Sequence, residues 1–362
     1  MARHPHFLAL TALGLAAACS HKPPPDFAPA PGLVAQITAI EIRAPARVCP
    51  GQTFEATYLA VLQDGSRIPF ETRYDPDHPP RLHVVFLDRS SNAATPTQGG
   101  GWWADRDPLL SARDGFRLQV SLLAKPSVIG RIVVAPSYEC LPHSFAFAGR
   151  DGDVGLAGQD GPPITVRLGL ARTPFVDRLI VASIEVADGP PVYLLADAAT
   201  VPPADWIVVA SRGGRGGRGV AGRPGQAGQN GIMSCPGGPG GPGGPGGSGG
   251  PGAGGGRGGP ITVITPSEEP FLAGIVAAHS EGGEGGPGGK GGAGGRGGAG
   301  GSGRNTDGTA CQGGSTGADG SRGSDGATGA GGAPGGRPQY VTVPQRDVFG
   351  PAASAELQEL LR

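Results

Sequence analysis

The 362-residue sequence predicts a mostly β protein in two parts: an antiparallel sandwich, then a bundle of polyglycine-II helices resting on a small β-layer. Three observations carry that reading. Of the 70 glycines, 53 lie between Gly213 and Gly336. They recur at every third position, the repeat of an extended helix with three residues per turn. Upstream, apolar and polar residues alternate with the period of two that half-buried strands require. So uneven a composition excludes one enzyme fold over the whole length. The 29 basic and 30 acidic residues give a net charge of −1, which suggests neither nucleic acid nor an anionic membrane surface as partner.

Met1-Ala2-Arg3 is followed by an apolar run from Phe7 to Ala18, too short to cross a bilayer and laid out as a secretory signal over 1–18. Ala16-Ala17-Ala18-Cys19 resembles the lipobox of bacterial lipoproteins, although Leu15 stands four places before the cysteine where that family has leucine three before. The resemblance implies a lipid anchor on Cys19, and Ser20 after it implies sorting to the outer membrane of a diderm bacterium. Residues 19–32 are a proline-rich tether. Cys49, Cys140, Cys235 and Cys311 remain, an even number that reads as two disulfides in an exported chain. Three connectivities are open, and the two compositional regimes point to Cys49–Cys140 and Cys235–Cys311. With no C-x-x-C pair and no histidine at ligand spacing, neither a metal nor a cofactor is expected.

Over 33–146 the alternating residues are Val34, Ile37, Ile40 and Ile42, then Phe54, Ala56, Tyr58, Ala60 and Leu62. Further strands are expected over Arg81–Leu87, Phe116–Leu123 and Gly130–Ala135, with turns at Asp64-Gly65 and Pro76–Pro80. Short strands at this spacing, without a long helical window, read as an antiparallel sandwich. Ile37–Pro45, Gly51–Ala56 and Asp64-Gly65-Ser66 resemble the opening of bacterial immunoglobulin-like domains. Trp102-Trp103, after Gly99-Gly100-Gly101, is a candidate contact surface, because paired rings on such a loop stack well on a sugar or a partner. The competing reading has one ring capping the core.

Gly149, Gly152, Gly155, Gly158 and Gly161 form a short run within 147–201. Four longer runs fill 202–344: Gly213–Gly231, Gly237–Gly258, Gly282–Gly303 and Gly314–Gly335. At ~3.1 Å per residue each spans roughly 60–70 Å. Collagen needs three chains and an unbroken frame, which Ser234, Cys235 and Ile261–Ile264 interrupt; a disordered linker needs no phase at all. An up-and-down bundle uses the phase, the near-equal lengths and both cysteines. An isolated three-fold helix leaves its N–H and C=O groups unpaired, and faces without Cβ let neighbours pair them. Cys235 and Cys311 then occupy turns at one end. Apolar segments at Asp205–Ser211, Pro260–Ile264, Gly274–Ala278 and Tyr340–Val343 sit at the other. The register is similar to that of snow-flea antifreeze proteins, some phage tail-fibre tips and mycobacterial glycine-rich surface proteins. In the tail, 345–362, Leu357, Leu360 and Leu361 suit one side of a short helix.

No Gly-x-Ser-x-Gly, P-loop or His-Glu-x-x-His motif occurs. Asp151, Asp153 and Asp160 read as solvated carboxylates rather than a cation site, and Arg212, Arg215 and Arg218 as solvated side chains rather than an RNA-binding box. The expectation is a non-enzymatic surface protein of the cell envelope, structural or adhesive, facing an extracellular macromolecule or envelope component, and monomeric rather than trimeric. A glycan- or ice-binding surface on the bundle and a collagen-like trimerising stalk are the alternatives.

Overall fold

The computed structural model describes residues 22–187, 189–350 and 353–361. It is mostly β and divides into two compact units between Ser137 and Tyr138.

The strands of the first unit are β1 (Ile37–Arg43), β2 (Arg47–Val48), β3 (Thr53–Phe54), β4 (Thr57–Leu62), β5 (Arg67–Pro69), β6 (Leu87–Ser91), β7 (Ala94–Pro96), β8 (Trp102–Ala104), β9 (Phe116–Leu122) and β10 (Lys125–Pro136). They form three sheets, ordered β1-β4-β5, β2-β10-β9-β6 and β3-β8-β7. Alternation dictates which faces turn inward: Phe116, Leu118, Val120 and Leu122 of β9 meet Ile40, Ile42, Tyr58 and Ala60 in one core. Each large side chain so buried contributes about 1.5–3 kcal/mol of transfer free energy. Gly130 on β10 passes so close to β1 that a Cβ there would fall on the Ile40 carbonyl.

Four expectations need correction. The pairing is not wholly antiparallel, because Arg47–Val48 runs parallel to Ala135–Pro136. Pro45 lies between β1 and β2, and the chain meets β10 travelling in its direction. Leu33 and Val34 belong to a short helix, Pro31–Gln36, rather than to a strand; proline at its start is already set for helical φ. Arg81–Leu87 is not one strand either. Val84–Phe86 form a 3-10 turn, capped by His83 Nδ1 accepting from the Val85 N–H (3.1 Å), and strand begins only at Leu87. The tether is not wholly free of the fold, since Phe27 packs edge-on against Tyr74 and lies 4.9 Å from Phe86 between ring centres.

The second unit contains β11 (Ser144–Ala148), β12 (Ile164–Ala171), β13 (Leu179–Val186), β14 (Val192–Asp197), β15 (Ile207–Arg212), β16 (Ile261–Pro266), β17 (Val276–Glu281) and β18 (Gln339–Val343). The division falls at 137 rather than 146 because β11 pairs with β15, and Leu141, Phe145 and Phe147 pack on this unit's own core. A single β-layer was expected, and there are two sheets. The chain repeats one unit three times: a strand, an outgoing glycine run, a returning run and a second strand. The strands that lead outward, β11, β15 and β17, pair in parallel in one sheet. Those that lead back, β12, β16 and β18, pair in parallel in the other, which β13 and β14 extend antiparallel. Direction of travel thus sorts the strands into sheets. Ile164, Val166, Ile207, Val209, Ile261, Val263 and Val276 bury the faces between them. On the five-stranded sheet, Gly169 makes room for the Phe349 ring, and Arg167 donates to the Val348 carbonyl (2.9 Å). The terminal helix, Ala355–Leu360, buries Leu357 and Leu360.

Candidate functional site

Trp102 and Trp103 lie on β8, where successive side chains face opposite ways. Trp102 is fully buried: its indole N–H donates to the Tyr58 hydroxyl (2.8 Å), which donates to the Gly100 carbonyl (2.6 Å). Arg89 completes the cluster, donating to Thr97 and Gly101 carbonyls at 2.6 and 3.2 Å. Burial pushes the Tyr58 pKa above its ordinary value. Trp103 is 47 % exposed, with its indole N–H on the Gly51 carbonyl (3.3 Å) and the Arg106 guanidinium 5.8 Å from its ring centre. One ring of the pair is therefore core, and the other lies about half exposed on the opposite face.

The glycine runs are joined by backbone hydrogen bonds in steps of three. Gly219, Gly222, Gly225, Gly228 and Gly231 of the first run donate to Pro287, Lys290, Ala293, Arg296 and Ala299 of the third, at 2.8–2.9 Å. The bonds continue the β15–β17 pairing without a break: Arg212 is paired with Glu281, and Gly213 donates to the Glu281 carbonyl. Strand pairing below therefore sets the register above. The second run donates to the first and the fourth, the third to the second, and the fourth to the third. The second and third runs are consequently central, each touching three others, while the first and fourth flank them.

The short Gly149–Gly161 segment is a hairpin of the same kind, turning at Gly155 (φ +79°). Its outgoing arm donates from Gly149, Gly152 and Gly155 to Arg212, Arg215 and Arg218 carbonyls (2.8–2.9 Å). Side chains complete what the glycine pattern leaves unpaired, a role for the aspartates that spacing alone does not reveal. Asp151 and Asp160 accept the N–H groups of Arg215 and Arg257 (2.8 and 2.7 Å), and Asp325 and Asp319 accept those of Gly291 and Gly297 (2.7 and 2.8 Å). Arg212 reaches Glu281 at the end of β17 (2.9 Å), and Arg215 reaches Glu284 of the third run (3.8 Å). These exposed pairs contribute about 0–1 kcal/mol each.

At the end away from the sheets, Cys235 follows the first run and Cys311 precedes the fourth, and the two form a disulfide with their Cα atoms 5.8 Å apart. Cys49 and Cys140 are also disulfide-bonded. Such cystines belong to an oxidising, extracellular or periplasmic compartment. Cys19 and the signal segment lie outside the described residues. Among the described residues, no helix is long and apolar enough to cross a membrane, and no three His, Cys, Asp or Glu gather as a metal site. No protein-family model matches the chain, and no curated protein is significantly similar to it.

Proposed function

We propose that this is an exported, lipid-anchored, non-enzymatic protein of the cell surface. An immunoglobulin-like sandwich leads to a polyglycine-II bundle, which serves as a rigid structural or adhesive module. The observation that carries the reading is the three-residue hydrogen-bond ladder, running in register from parallel strands to a disulfide-closed tip. A rod built this way exposes two unlike flanks. Along the third and fourth runs stand Glu284, Lys290, Arg296, Asp319, Arg322 and Asp325; the second carries prolines and Ser248, whose hydroxyl meets Ser324 of the fourth.

Two measurements on the protein made in a diderm host test this reading. Mass spectrometry of the mature N-terminus should find a diacylated or triacylated Cys19 in the membrane fraction; an unmodified chain cut after Ala18 would remove the anchor. Amide hydrogen exchange on the full chain should protect at least one glycine N–H in each triplet of the four runs, and two per triplet along most of the second. Uniform fast exchange there refutes the bundle.

A further inference from the structure

The four long runs enclose four grooves, and side chains bridge three of them. Ser324 and Ser248 hydroxyls meet at 3.0 Å between the fourth and second runs. Asp319 and Asp325 span the fourth and third. The Arg215–Glu284 pair (3.8 Å) and Asn230, which accepts the Ala299 N–H (3.0 Å), span the first and third. No side-chain bond crosses the groove between the first and second runs among the described residues. Near the sheets that groove holds the returning arm of the short hairpin. Gly158 and Gly161 donate to the Gly254 and Arg257 carbonyls of the second run (3.0 and 2.8 Å). From the first run, Gly214 and Gly217 donate to the carbonyls of Gln159 and Leu156 (2.8 and 2.9 Å).

The hairpin turns at Asp153–Leu156, and the groove continues past it with the same chemistry on both walls. Carbonyls of Pro251, Ser248, Pro245, Pro242 and Pro239 extend one series at three-residue steps. The N–H groups of Val220, Arg223, Gln226 and Gln229 extend the other, and neither series has a partner within the described residues. The floor carries Gly241, Gly244, Gly247 and Gly250, in register with Gly256, whose missing Cβ admits the carbonyl of Gln159. Packing between the two runs does not itself demand these glycines: a Cβ on any of them lies 3.2–3.4 Å from the first run, and Ala253 already occupies the same register. A Cβ at Gly214 or Gly217 would point at the outgoing arm. Side chains later in that series, from Val220 on, therefore flank the groove rather than fill it.

We propose that this groove binds, in trans, an extended polypeptide with glycine at every third residue, lying parallel to the second run as the hairpin arm does. Glycine is required in the guest because a Cβ at Gly158 would fall on the Gly214 carbonyl. The open length takes about five triplets, or ~45 Å of chain. The proposal rests on reading the runs as three-fold helices.

The test is fluorescence anisotropy of a labelled 15-residue peptide copying residues 314–328, titrated with the oxidised full chain. Saturable binding is expected, weakened at least ~tenfold when every peptide glycine becomes alanine, since each added Cβ then overpacks the groove. Gly244→Leu, which fills the floor, should abolish binding while circular dichroism stays that of the parent. If that variant does not fold, the alanine peptide on the parent protein decides alone. Absence of binding at millimolar peptide, equal binding of both peptides, or a folded Gly244→Leu that still binds would overturn the proposal. A bundle whose glycine amides are protected yet ignores the peptide refutes the groove only; unprotected amides refute the underlying reading.

Discussion

Gly295 and Gly244 both face Gln226 of the first run, yet alanine should act on them very differently. A Cβ at Gly295 would fall on the Gln226 carbonyl with the Gly225 carbonyl 3.0 Å away, all of it backbone that cannot rotate aside. Relief requires the third run to move off the first. That breaks the Gly225 to Ala293 and Gly228 to Arg296 hydrogen bonds, each 2.8 Å long. Two such bonds at ~1 kcal/mol each, with 1–3 kcal/mol of overpacking, give a loss of about 3–5 kcal/mol. A Cβ at Gly244 meets only the Gln226 nitrogen and oxygen at 3.3 and 3.4 Å, in the register that Ala253 already fills. There the unfolded chain loses entropy on gaining a Cβ, worth ~0.4–1 kcal/mol in favour of the fold, and this offsets the slight crowding. The two-unit chain is not a two-state system. The assay is therefore amide hydrogen exchange of peptides spanning 282–303, which reports the second unit alone. Gly295→Ala should raise exchange there by about two to three and a half orders of magnitude, the stated loss divided by 1.4 kcal/mol per decade. Gly244→Ala should change it by less than about fivefold on the same scale. Equal effects, or the reverse order, would refute close backbone contact as the reason for the glycines.

Reducing the Cys235–Cys311 bond, which closes a loop of 76 residues, should cost up to ~4 kcal/mol through the unfolded state and raise exchange first around 228–241 and 300–314. Asp325→Ala leaves the Gly291 N–H without its acceptor and frees Arg322, so the third run should lose about 1 kcal/mol locally, read as faster exchange at Gly291. In the first unit, Tyr58 has its pKa raised by burial. Its contribution is thus complete below the ordinary tyrosine value near 10 and lost as pH rises through the higher folded value. Alkaline titration of tryptophan fluorescence should show that loss in the parent, and a Tyr58→Phe variant should not share it.

Much of the second unit was legible because its signal is phase rather than composition. The four runs, their turns and the cysteines at one end follow from counting in threes. The placement of Asp325 and Asp319 against a neighbouring run does not, since which run lies alongside depends on direction of travel, and a period carries no direction. The two sheets were read as one layer for the same reason: Ile207 and Ile261 look alike in sequence, and only outgoing versus returning travel separates them. In the first unit the alternating strands were legible, whereas the parallel Arg47–Val48 pair depends on a crossing that no local pattern records. Trp102 and Trp103 were a coin with two faces, and alternation on a strand decides that one ring is buried.

The glycine content of each triplet also records how many neighbours a run has. Where the first run lies against the hairpin as well as two long runs, it reads Gly-Gly-Arg; past the hairpin it has two neighbours and one glycine per triplet, as in Gly222-Arg223-Pro224. The central second and third runs touch three others and carry Gly-Gly-x nearly throughout, while the flanking fourth run, with two neighbours, reads Gly-x-y. The cause is geometric. On the proposed three-fold helix, two adjacent neighbours cover one of three faces, a third neighbour covers a second, and a closely covered face excludes Cβ. A face with a side chain cannot accept another run, so the residues at Thr316, Asp319 and Arg322 stop the array growing past the fourth. The face of Gly241, Gly244 and Gly247 on the second run is the exception to this count, since the atom nearest a Cβ at each belongs to the first run and stays 3.2–3.3 Å away, so this face is less closely covered than its neighbour count implies.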